Sequence, residues 1–137
     1  MKILLFICSF CFVNVGSGMV PEPGDTIMLG DITPAIAAAI KSGDAATLAG
    51  YFNTTIDLTL PGSEGTYSKS QAELIVKGFF ASNTPEDFTI NHRGSSGEGS
   101  QFCIGDLITD NGNYRTYFLV KAINGRSVLT QLQFEEE

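Results

Sequence analysis

Apolar positions along this chain switch period three times: helical, then alternating, helical again, and alternating to the end. Ile36, Ile40 and the alanines between them recur at helical spacing, and Thr33 followed by Pro34 reads as a cap and a first helical residue. Gly43 ends this helix. Asp44 caps a short second one carrying Leu48 and Tyr51, with Phe52 left as an apolar plug. Residues 54–60 alternate, Ile56, Leu58 and Leu60 lying on one side, which predicts a half-buried strand. Pro61-Gly62 turns it into a short return strand at 65–68. A third helix begins at a capping box, Ser68 with Gln71 or Ser70 with Glu73, and carries the stripe Ala72, Ile75, Val76, Phe79 and Phe80 until Asn83-Thr84-Pro85 stops it.

From residue 87 the pattern predicts a four-stranded meander, with turns at 94–100, Asn111-Gly112 and Asn124-Gly125. Centring the pairing on each turn sets residue 92 opposite 102, 102 opposite 121 and 121 opposite 128. One face then carries Phe88, Ile90 and His92; Phe102, Ile104, Asp106 and Ile108; Arg115, Tyr117, Leu119 and Lys121; and Val128, Thr130, Leu132 and Phe134. This set is expected to face inward. The other face is mixed and includes Leu107, Tyr114, Phe118, Val120 and Leu129, an apolar patch with no further element to cover it. The assignment holds for an uninterrupted ladder, because one β-bulge transposes every side chain beyond it.

The expected class is α+β: a curved antiparallel sheet wrapped around a long helix, with two shorter N-terminal helices. The element order resembles the nuclear transport factor two-like, or cystatin-like, cone fold. The segments Tyr51-Phe52-Asn53, Gly65-Thr66-Tyr67-Ser68, His92-Arg93-Gly94-Ser95, Tyr114-Arg115 and Leu132-Gln133-Phe134 resemble a small exported bacterial family of unknown function, over residues 32 to 135. That resemblance implies a pocket between sheet and helix. It implies no particular activity, since the superfamily holds isomerases, dehydratases, transport adaptors and binding domains.

Residues 1–18 fit a secretory signal, with Lys2 as charged start, an apolar stretch from Ile3 to Val15, and small residues at Gly16-Ser17-Gly18 for cleavage. The apolar stretch falls short of the ~20 residues of a membrane span. The expectation is export to the periplasm or the extracellular space, with no transmembrane segment after cleavage, a lead at 19–30, and one domain at 31–137. Cleavage removes two of the three cysteines, so Cys103 has no intrachain partner and reads as a small buried hydrophobe. Loss of Lys2, with no acid among residues 1–18, moves the formal charge from -7 to about -8. Scattered basic residues on so acidic a chain argue against nucleic acid and anionic membranes as partners.

Candidate chemistry centres on Asp106, expected opposite Tyr117 with Arg115 on the diagonal, so that an acid, a phenol and a guanidinium meet on the inward face. Such a cluster suits a binding pocket, and it equally suits a self-satisfied interior ion pair. The superfamily resemblance implies a carboxylate base and a tyrosine in the cone of its isomerases, which makes Asp106 and Tyr117 the pair for an enzymatic reading. Against that reading, Arg115 holds the carboxylate ionised and weakly basic. Tyr67, with Ser68 and Lys69, stands at the expected rim of the pocket, and His92 fastens a hairpin end. One histidine and one mature cysteine make no standard zinc site, and no cofactor is implied. Three functions fit: a non-catalytic domain binding a small ligand or partner, a cofactor-independent isomerase or lyase, and a structural homodimeric module whose cone is filled by Phe79, Phe80, Phe102 and Phe134.

Overall fold

The structure, a computed structural model, describes residues 31–96 and 99–137; the expected signal and lead lie outside them. Helices α1 (Thr33–Ser42), α2 (Ala45–Ala49) and α3 (Lys69–Ser82) pack on one face of a six-stranded sheet. Its strands are β1 (Phe52–Leu60), β2 (Ser63–Ser68), β3 (Pro85–Ser96), β4 (Ser100–Thr109), β5 (Gly112–Ile123) and β6 (Arg126–Glu136), in the order β2-β1-β6-β5-β4-β3. All neighbours are antiparallel except β1 and β6, which run parallel and join the N-terminal hairpin to the meander. No alternation pattern announced that pairing.

Local signals explain the element ends. Ser68 accepts from the Gln71 N–H and starts α3, and Asp44 does the same for Thr47 and α2. Gly43 closes α1 in the left-handed conformation at φ 67°. At the start of α1 the capping acceptor is Asp31, which takes the Thr33 N–H at 3.0 Å; Thr33 itself is buried and turns its hydroxyl toward Gln101. The expected Thr33 cap is not observed: Ile32 holds the N-cap position without a side-chain bond, and Asp31 just before it accepts the Thr33 N–H.

The meander carries the larger correction. Asn124 and Gly125 both hold positive φ, forming the expected tight turn, and Lys121 does pair with Val128. The preceding hairpin turns one residue earlier, through Asp110 and Asn111, so Phe102 faces Leu119, not Lys121. Next, Phe102 faces Gly94, not His92. The register also shifts between Ile90 and His92 on β3, and between Leu129 and Gln131 on β6 where they meet Val120 and Leu119. These bulges let Phe88 of β3 and Leu132 and Phe134 of β6 share a face with Leu107 of β4 and Phe118 of β5. Phe88, Ile90, Leu132 and Phe134 face inward as expected; the expected faces of β4 and β5 are exchanged. Leu107, Tyr114, Phe118, Val120 and Leu129 form core, not an outer patch.

Candidate functional site

The space between α3 and the sheet is occupied by aromatic side chains. Phe79 stacks on Phe134 with centroids 4.8 Å apart and planes 14° from parallel, and it meets Tyr114 edge-on at 5.1 Å. Phe80 packs against the same Phe134 ring at 6.0 Å. Below them Val76, Leu107, Phe118 and Leu132 are fully buried. Three of the four rings expected to fill the cone are therefore in it or at its wall; Phe102 lies on the opposite face of the sheet.

A polar knot closes the end of this core. Buried Asn83, just after α3, accepts from the Tyr114 hydroxyl at 2.8 Å and from the Asn111 amide at 3.1 Å, and donates to the Phe79 carbonyl. Burial, with a smaller push from Glu136, raises the Tyr114 hydroxyl above its ordinary value and keeps it a donor. The adjoining cleft of about 330 Å³ is lined by Ile75, Phe79, Asn83, Asn111, Tyr114 and Glu136. Asn83, Asn111 and Tyr114 in its wall already satisfy one another.

Asp106, Arg115 and Tyr117 lie on the outer face of the sheet, correcting their expected inward position. They remain neighbours, but in a different arrangement: Asp106 is opposite Arg115, and Tyr117 is opposite Ile104. Asp106 accepts from Asn91, the extra residue of the β3 bulge, at 2.6 Å. Arg115 reaches Glu137 at 3.7 Å, an exposed pair of little energetic weight. His92 is exposed on the same outer face, opposite Ile104, and Tyr67 is half-buried at the inner edge on β2. The five expected site residues do not converge on one cavity.

What the outer face does contain is a partly exposed apolar group: Phe102 and Ile104 of β4 beside Leu119 and Tyr117 of β5. Phe102 stacks on Tyr117 at 6.4 Å and lies across Gly94, where any side chain would collide with the ring. A glycine facing an aromatic across a hairpin is the signal that could have revealed this contact, had the register been known.

Cys103 is on the inner face near Thr33 and Arg93; burial pushes its thiol up, outweighing the Thr33 and Arg93 contacts that lower it. Among the described residues, no group of three or more His, Cys, Asp and Glu side chains could hold a metal ion. No helix among them is long and apolar enough to cross a membrane.

The sequence pattern of a family described as Domain of unknown function (DUF4783) matches residues 33–135. A DUF4783 family protein from Bacteroides ovatus is 28% identical, with a TM-score of 0.70 over 74% of this chain and 92% of that one. A second, from Bacteroides uniformis, is 26% identical, with a TM-score of 0.74 over 78% and 98%. An NTF2-like protein of unknown function from Cytophaga hutchinsonii is 12% identical, with a TM-score of 0.56 over 81% and 91%, and shares the fold. No curated protein matches the chain.

Proposed function

Because the chain belongs to the DUF4783 family, a domain of unknown function on an NTF2-like fold, we propose that it is an exported, non-catalytic interaction domain that pairs with a second copy of itself through the outer face of its sheet. The observation that carries this reading is the cluster of Phe102, Ile104, Leu119 and Tyr117 on a face that no helix among the described residues covers. The position of Asp106 and Tyr117 outside the cone weighs against the isomerase reading, because proton abstraction from carbon gains from a desolvated base and this one sits half-exposed beside Asn91. Export rests on the signal-like pattern of residues 1–18.

A second copy is the occupant favoured by area and charge. Six strands at ordinary spacing and length present a face of about 1,000 Å², comparable to the ~800 Å² per partner of a standard interface. On that face Lys121 stands toward one end, and Asp106 and Glu135, with Arg115 between them, toward the other. A two-fold apposition with strands reversed brings each copy's Lys121 toward the other's acids, with the apolar groups at the centre.

Light scattering on the mature chain tests this reading. The expected mass is that of a dimer, and Tyr117→Lys is expected to give a monomer with an unchanged far-ultraviolet circular dichroism spectrum. A wild-type monomer at high micromolar concentration overturns the proposal, as does a dimer indifferent to Tyr117→Lys and to Leu119→Lys.

A further inference from the structure

On the side of the molecule where α3 begins, a cleft of about 450 Å³ runs between the start of β1 and the β5–β6 turn. Its charge is unlike that of the rest of the protein. The chain carries 15 acidic against 8 basic residues, yet among the described residues lining this cleft none is acidic, and two, Lys69 and Arg126, are basic. Neither forms an ion pair among the described residues. Two exposed cations that no described acid pairs, on a protein of net charge -7, set this cleft apart from the acidic surface around it.

The remainder of the lining divides by chemistry. Asn53, Thr54 and Ser127 offer amide and hydroxyl groups, while Tyr51, Ile123 and Val128 offer apolar surface. Lys69 is also the first residue of α3, a fourteen-residue helix with no acid in its first turn, so the usual side-chain compensation of the helix's positive end is missing here. A neighbouring concavity shares Gly50, Thr54 and Lys69 and brings in an acid, Glu73, one turn further along the helix. A cleft with an apolar wall and a few directed polar groups is the usual form of a small-molecule site.

We propose that this cleft binds a small organic oxyanion, a carboxylate or a phosphate ester, with its charge held by Lys69 and Arg126 and its apolar body against Tyr51, Ile123 and Val128. The site is separate from the sheet-face contact around Tyr117 and does not depend on it.

Nuclear magnetic resonance titrations of the mature protein with benzoate, phenyl phosphate and inorganic phosphate test the proposal. Shifts are expected to cluster at residues 51–54, 69–71 and 123–128, and to weaken with added salt. Saturation by benzoate identifies a carboxylate site, and saturation by phenyl phosphate alone identifies a phosphate-ester site. Lys69→Gln with Arg126→Gln is expected to weaken binding by about tenfold or more, as the loss of charge-assisted hydrogen bonds requires. Lys69→Arg should retain it. Both positions are exposed, and unchanged melting temperatures would establish that the variants fold. Inorganic phosphate binding as tightly as phenyl phosphate would remove the apolar wall from the site and overturn the proposal. So would shifts spread equally over Arg93, Arg115 and Lys121, binding indifferent to the double substitution, or no shifts with any of the three probes.

Discussion

Asp31 shows how much one side chain organises at the start of the domain. Burial raises its carboxyl, but the contacts with Thr33, whose backbone N–H donates to it, together with Arg93 at 2.7 Å, outweigh that and leave it below the ordinary 3.8. A carboxyl lowered by folding contributes stability above 3.8 and loses it as pH falls through the lower folded value. Asp31→Asn should therefore melt below the wild type at neutral pH, and the gap should close in melts run progressively below pH 3.8. Constant separation down to the most acidic condition would show that charge is not the contribution. That Thr33 is the first helical residue and Asp31 the acceptor of its N–H was not legible locally, since both residue types cap helices; Thr33 is instead buried with its hydroxyl toward Gln101. By contrast, Ser68, Asp44, Gly43 and Asn124-Gly125 act through their own backbone neighbourhood and were readable at once.

Elements are joined by a few polar contacts as much as by packing. Asn83 ties the end of α3 to Tyr114 on β5 and to Asn111 in the β4–β5 turn. The same turn is held by Thr109, whose hydroxyl donates to the Gly112 carbonyl and accepts from the Asn111 N–H. With Asn111 engaged on both sides, the hairpin turns through Asp110-Asn111, a contact outside the reach of a dipeptide signal. Tyr114→Phe deletes one donor while Asn83 keeps Asn111, so urea denaturation is expected to show a loss of about 0.5–1.5 kcal/mol. Asn83→Ala strands the buried Tyr114 hydroxyl and releases the helix end; its loss should exceed that of Tyr114→Phe, and the opposite order would refute the knot as described.

At the scale of the whole molecule, stability and association are linked if the sheet faces pair. The melting temperature is then expected to rise with protein concentration, because dissociation accompanies unfolding; Tyr117→Lys should abolish that dependence. A concentration-independent melt of the wild type would detach the outer face from self-association.

The order of elements, the helix ends apart from the start of α1, the strand count and the apolar stripe of α3 follow from residues within a turn or two of one another, so the amino-acid sequence alone determined them. Which face of β4 and β5 meets the helices followed from the bulges at Asn91 and Thr130 and from a turn tied to Asn83. A side chain's face alternates with every residue, so a single insertion in the ladder reverses it, and the energy that selects the insertion comes from packing Phe88, Phe118 and Phe134 into one core. For that reason Asp106, Arg115 and Tyr117 could be recognised as neighbours from sequence, while only the tertiary structure decided that they look outward.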